Sequence, residues 1–337
     1  MTTDATVHPW HVRALRRIPI ILLKVSIGAT ILFLLLRKLN IKWSAIFDAA
    51  RRLLMQPHWL IATLALLGLT LLCGAARWRT ALLGLGVNLS RSHVGAIFLI
   101  GNFFNAFLPG TTGGDVARAV YVARDAPDHK PEALASIVIE RLTGVTVLLM
   151  LTLLGLFFSG YPHQRTWLLL VVGLTMAAMF AALFALPPER TVKKWPFISR
   201  IAAHPKIGPL AQRLYAAMRI CRTHPALTLR LMAWSTLQHA CAALSWLTIA
   251  CGLGVACAPL DFIMLVPAVL VAQMIPITPG ALGVRESAAV AFLHESGVPP
   301  ETAIVVSLAS YAGTLVWSLA GGIALVIMHE RRNHARH

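Results

Sequence analysis

The sequence predicts an all-α integral membrane protein, with about six full transmembrane helices and two re-entrant helical hairpins arranged as an inverted repeat. Three observations carry this expectation. Of the 337 residues, 57% are hydrophobic and 13% charged, against about 25% charged in a typical soluble domain. The runs 59–76, 166–186, 231–260 and 302–328 contain no charged residue, and about 20 apolar residues cross a bilayer core. Two further uncharged stretches, 92–114 and 262–284, are 23 residues each and are broken by glycine or proline.

Taken in order, the chain opens with Arg13, Arg16 and Arg17 before an apolar run with no clean small-residue cleavage site, so 18–36 reads as a retained anchor. Lys24 within it is expected to snorkel to the interface. Residues 37–58 carry Arg37, Lys38, Lys42, Arg51 and Arg52 in an amphipathic pattern that suits a helix lying along the membrane surface. Spans follow at 59–76, 137–160, 166–186, 231–253 and 302–328. The segment 187–229 holds eight Lys or Arg and reads as a basic cytoplasmic connector.

Parity decides how the broken stretches run. If both are re-entrant, the N-terminus, 77–92, 115–135 and the tail with Arg331, Arg332 and Arg336 all fall on the cytoplasmic side with the connector. If each crossed once, the tail would fall outside. The re-entrant count also makes span 59–76 antiparallel to span 231–253. Residues 59–160 and 231–328 then form two inverted repeats within one membrane domain, 1–337.

The net charge of +17 does not point to nucleic acid, because the basic residues sit between apolar runs, where anionic lipid headgroups are the natural partner. The five cysteines form no CxxC pair and the thirteen histidines no HExxH, so neither a metal nor a cofactor is expected.

The chemistry is concentrated at the breaks. In "FLPGTTGGDVAR" (107–118), Pro109, Gly110 and Gly113 align with Pro279, Gly280 and Gly283 of "ITPGALGVRE" (277–286). Non-helical backbone at membrane depth survives only inside protein or against a wet cavity, so the glycines Gly110, Gly113 and Gly114 imply a cavity. Asp115 is placed to cap the next helix, whose amides would form an anion site. Arg118 and Arg285 each follow a P-G-x-x-G element, and Arg141 enters the membrane in "SIVIERLTGV". Arginine forks suit phosphate. Asp115, Glu140 and Glu286 are their acidic neighbours, available to pair with them, receive a cationic group or carry a proton. Glu140 and Arg141 also fit an interfacial charge pair. Asn102 and Asn105, three apart, either line the cavity or hold helices together.

At these residues the chain resembles a known family. "GNFFNAFLPGTTGGDVARA", "ASIVIERLTG" and "IPITPGALGVRES" are similar to the flippase-like membrane region of the lysylphosphatidylglycerol synthase/multiple peptide resistance factor family. The resemblance covers most of the chain. It implies a multi-pass protein of the bacterial inner membrane that moves a phospholipid or a modified lipid, such as an aminoacylated one, between leaflets, and it implies no catalysis. With His337 nine residues past the last span, no synthase domain and no lysyl-transferase activity are expected. Ala281 departs from the family, which often has a second glycine there, and narrows backbone freedom.

Two alternatives stand beside this reading. One is an accessory subunit of a lipid or hopanoid biosynthesis or transport complex. The other is an intramembrane lipid-modifying enzyme: "GGDVARA" is similar to the D-G-x-x-A-R start of CDP-alcohol phosphotransferases, but Val116 stands in place of glycine and the later paired aspartates are absent. The oligomeric state is left open, a homodimer included.

Overall fold

The computed structural model describes residues 18–107, 113–158, 170–178, 208–255, 259–274, 278–294 and 297–334. These residues build α1 (Ile18–Lys38), α2 (Trp43–Leu54), α3 (Pro57–Gly84), α4 (Arg91–Phe107), α5 (Gly113–Asp125), α6 (Lys130–Phe158), α7 (170–178), α8 (Gly208–Thr223), α9 (Pro225–Gly252), α10 (Pro259–Ala272), α11 (Val284–Leu293) and α12 (Pro300–His334). No strand occurs among them. Pro109, Gly110, residues 187–207 of the basic connector and most of the span expected at 166–186 lie outside the described residues.

Three helical stretches, Pro57–Gly84, Pro127–Phe158 and Pro300–Glu330, are long and apolar enough to cross a membrane. Their 28 to 32 residues reach more than 40 Å at a rise of about 1.5 Å per residue, beyond the roughly 30 Å of a hydrocarbon core. Helix α3 outruns the span expected at 59–76, because Arg77 is buried within it rather than marking its end. Helices α3 and α9 each open on proline, whose missing N–H is no loss in a first turn that has no partner for it.

The centre of the molecule is the pair α3 and α9. The hydroxyls of Thr63 and Thr248 share a hydrogen bond of 2.8 Å, and Arg77 donates to Ser235 at 3.0 Å. Gly84 packs on Leu227 and Gly252 on Trp59. As numbering rises on one helix it falls on the other, so the two run antiparallel. Thr63 satisfies its own helix as well, donating to the Trp59 carbonyl at 2.8 Å.

Around that pair the helix contacts come in matching sets. Helix α4 packs on α12 as α10 packs on α6, α5 on α6 as α11 on α12, and α2 on α12 as α8 on α6. The closest of these contacts match in kind: a Cβ on Gly321 would run into the Leu99 carbonyl of α4, and a Cβ on Gly155 into the Met264 carbonyl of α10. Backbones approach this closely only where one helix offers no side chain.

Helices α4 and α5 form a hairpin. A ring nitrogen of His93 bonds the Asp125 carboxylate (2.7 Å) at its open end, while Gly114 sits against Gly101 and Asn105 near the break. In the second broken stretch, a 3-10 turn at Pro279–Ala281 precedes α11. Gly280 (φ 61°), Ala281 (φ 55°) and Gly283 (φ 82°) all take positive φ there. Ala281 therefore occupies the left-handed region that costs an L-residue roughly 1–2 kcal/mol.

The largest apolar cluster gathers Trp246 and Ile249 of α9, Phe262 and Leu265 of α10, Leu293 of α11 and Ile304 of α12. A second joins Trp78, Ile97, Val122 and Ile137, one from each helix α3 to α6. Together they clamp the two hairpins between the long helices.

The close glycine contacts predict opposite signs for one substitution. Gly155→Ala and Gly321→Ala are expected to lower stability by about 1–3 kcal/mol each, because the added methyl meets backbone that must shift. Gly95→Ala, whose Cβ meets nothing within 4 Å, is expected to be neutral or stabilising by up to about 1 kcal/mol through helix propensity. Thermal unfolding of the three variants in detergent micelles measures the contrast.

Candidate functional site

Glu140, in the first half of α6 and 3% exposed, organises the site. Its Oε1 accepts from Arg77 Nη2 at 2.9 Å and its Oε2 from Arg118 Nη1 at 2.7 Å. One carboxylate thus ties α3 and α5 to α6. Arg118 also donates to Asp115 Oδ1 at 2.5 Å, one helical turn away, a spacing at which side chains on α5 meet. Its guanidinium lies 5.0 Å from the Trp78 ring centroid and 5.1 Å from that of Phe98, and aromatic faces of this kind favour a cation. Trp78 is held in turn by its Nε1–H to Ser136 Oγ at 3.1 Å.

Successive residues on a helix point about 100° apart, which separates Glu140 from Arg141. Glu140 faces inward. The Arg141 side chain is 46% exposed and reaches sideways to Asp115, giving Nε to Oδ2 and Nη2 to Oδ1, both at 3.0 Å. The network therefore holds three arginines, Arg77, Arg118 and Arg141, against two carboxylates, Asp115 and Glu140. One positive charge is left over, on a network whose Arg77, Arg118 and Glu140 are buried and whose Arg141 is half-exposed.

That excess charge borders a cavity of about 290 Å³. Thr70 and Arg77 of α3, Glu140 and Arg141 of α6, and Gln238 and His239 of α9 supply its polar wall, while Val145, Leu148, Leu270 and Met274 supply an apolar one. Gly144 makes room for Arg77, since a Cβ there would stand 2.9 Å from Nη1, and its carbonyl bonds the His239 ring at 3.3 Å. A pocket lined by both cationic and apolar side chains suits an amphiphile with an anionic head.

Of the residues the sequence singles out, Asp115, Arg118, Glu140 and Arg141 come together. Glu140 and Arg141 line the cavity, and Asp115 and Arg118 lie behind its wall. Gly113 and Gly114 begin α5. The Gly114 amide donates to Asn105 Oδ1 at 2.8 Å, so Asn105 serves this helix start, while both Asp115 oxygens go to arginines. Asn102 donates to Ser318 of α12 at 2.9 Å. Both asparagines hold helices together.

Gly280, Gly283, Arg285 and Glu286, which follow Pro279 in the chain, belong to a second cluster away from this cavity. Arg285 donates through Nε to Glu286 Oε1 (3.0 Å) and Ser307 (2.7 Å), and through Nη2 to Glu286 Oε1 (2.6 Å). The Gly283 amide donates to Glu286 Oε2 at 2.6 Å, and the Arg285 guanidinium lies 4.5 Å from the Tyr311 ring centroid. One cation meets one carboxylate, and Glu286 is fully buried. This cluster is neutral and self-contained.

The residues that sequence reasoning missed are Thr70, Arg77, Ser235, Gln238 and His239. Signals for some of them exist. After Arg77 the apolar pattern resumes with Trp78, Ala81 and Leu82, so the charge interrupts a helix rather than ending it. Gln238 and His239 are the only amide and imidazole side chains in the uncharged run 231–260, and such groups inside a span call for a polar partner.

Glu140→Gln is expected to destabilise the protein by about 3–5 kcal/mol, because it strands two buried guanidinium groups without their shared carboxylate. Arg141→Gln, at a half-exposed pair, is expected to cost about 1 kcal/mol or less. Adding Arg77→Met to Glu140→Gln should recover part of the loss, read as non-additivity in chemical unfolding.

Comparison with known proteins adds a family and one relative. The family described as lysylphosphatidylglycerol synthase TM region matches residues 21–322. The UPF0104 membrane protein PH1989 of Pyrococcus horikoshii is 24% identical over 188 residues, 53% of this chain and 54% of that protein. The match thus spans about half the length of that relative. No solved structure matches the chain significantly.

Proposed function

Because the chain belongs to the lysylphosphatidylglycerol synthase transmembrane-region family, we propose that this multi-pass membrane protein is a flippase-like lipid transporter, moving a phospholipid or a modified lipid between the leaflets of a bacterial inner membrane. One observation carries the reading: a largely buried arginine network with a surplus positive charge borders a cavity that is also lined by apolar side chains. A lipid phosphate neutralises that charge, and its glycerol and acyl chains meet Val145, Leu148, Leu270 and Met274. Positioning an anion in this way requires no chemical step, so the protein acts as a carrier rather than an enzyme.

The matched contacts support two inverted halves, 59–160 and 231–328, related through the antiparallel pair α3 and α9. On this reading the hairpins α4–α5 and α10–α11 enter the membrane and return. Helix α4 has 17 residues and α10 has 14, short of the roughly 20 needed to cross. Rocking of one half against the other would then expose the cavity to each leaflet alternately.

Reconstitution into liposomes carrying headgroup-labelled reporter lipids tests this. Wild type is expected to speed the exchange of an anionic lipid between leaflets, and Arg141→Gln, which folds but loses a cavity cation, to slow it at least tenfold. If wild type moves no lipid faster than protein-free vesicles under any imposed gradient, the transporter reading fails.

A further inference from the structure

We propose that the cavity selects a monoanionic phosphodiester lipid whose headgroup carries a hydroxyl, and that it disfavours a headgroup bearing a positive charge. This rests on the transporter reading above and names the class of lipid at the same site.

The first ground is an unmet pair of hydrogen-bonding groups. Arg77 is 7% exposed, with Nη1 on Ser235 and Nη2 on Glu140, yet its Nε–H is buried without an acceptor. The Oε1 atom of Gln238 is likewise buried without a donor. Both side chains line the cavity, one from each of the two central antiparallel helices. Buried polar atoms left unpaired are few in folded proteins, and each is costly. A single ligand meets both needs when it offers an acceptor to Arg77 and a donor to Gln238. A phosphodiester oxygen with a nearby hydroxyl is such a ligand.

The second ground is charge. The network carries three arginines and two carboxylates, and all four carboxylate oxygens already accept from guanidinium groups. A phosphodiester brings one negative charge and balances the surplus. A headgroup ammonium would find no uncommitted carboxylate and would share the cavity with Arg141. The third ground is the apolar wall at Val145, Leu148, Leu270 and Met274, which a soluble phosphodiester leaves uncovered and a lipid covers.

The test measures binding of four lipids to the purified full-length protein in detergent by native mass spectrometry. They are phosphatidylglycerol, phosphatidylmethanol (same charge, no hydroxyl), phosphatidylethanolamine and lysyl-phosphatidylglycerol. Phosphatidylglycerol is expected to bind about tenfold tighter than phosphatidylmethanol, the worth of one good hydrogen bond, and tighter still than the two lipids with an ammonium. Gln238→Leu should erase the difference between phosphatidylglycerol and phosphatidylmethanol by lowering phosphatidylglycerol binding about tenfold. Gln238→Glu, which places a carboxylate opposite Arg77, should shift preference toward lysyl-phosphatidylglycerol.

Equal binding of all four lipids by wild type, tighter binding of the lysylated lipid, or an undiminished phosphatidylglycerol preference in Gln238→Leu overturns the inference. Binding of water-soluble glycerophosphoglycerol as tight as that of the lipid overturns the role of the apolar wall. In the liposome assay, movement of every lipid without headgroup preference defeats the selectivity and leaves the transporter reading standing. Selective binding with no movement defeats the transporter reading and leaves the selectivity standing.

Discussion

Everything around the cavity depends on one buried carboxylate shared by two arginines. Glu140 accepts from Arg77 on α3 and from Arg118 on α5, so one side chain on α6 fixes the mutual positions of three helices. Ionised groups can remain in an apolar bundle only when paired and hydrogen-bonded. That requirement makes the contact exacting: the helices must bring all three groups to within hydrogen-bonding distance, and the aromatic rings of Trp78 and Phe98 close over Arg118 to complete its surroundings.

The antiparallel pair α3 and α9 provides the frame in which this is possible. Hydrogen bonds between Thr63 and Thr248 and between Arg77 and Ser235 fix the register along the pair, and glycines at its ends admit Leu227 and Trp59. Because lipid is as apolar as leucine, helices in a membrane gain little from burying greasy surface against one another and depend on close packing and polar contacts. The same pair then forms one side of the cavity, through Thr70, Arg77, Gln238 and His239. Helix packing and the cavity lining therefore share residues.

The two broken stretches began from the same local pattern and ended in different chemistry. After each P-G-x-x-G element an arginine lies buried near the start of a helix, Arg118 in α5 and Arg285 in α11. Arg285 has its carboxylate next door in Glu286, with Ser307 and the Gly283 amide completing the set. It is neutral and stabilises its own turn. Arg118 must share Glu140 with Arg77, and Asp115 with Arg141, which leaves the first cluster with a surplus positive charge.

The sequence by itself determined the all-α membrane character and several of the long apolar helices, because hydropathy acts over a turn or two of chain. It misread Arg77 as the end of a span, since a lone charge after an apolar run looks the same whether it meets water or a buried partner. It also placed Arg285 and Glu286 beside the others on the strength of a shared motif. Only the tertiary structure decided that Arg77 meets Glu140 across 63 residues and Ser235 across 158, and that Gln238 stands beside them. Such pairings depend on how α3, α6 and α9 cross, and the energy of a buried charge is set by its neighbours in space, which no local pattern contains.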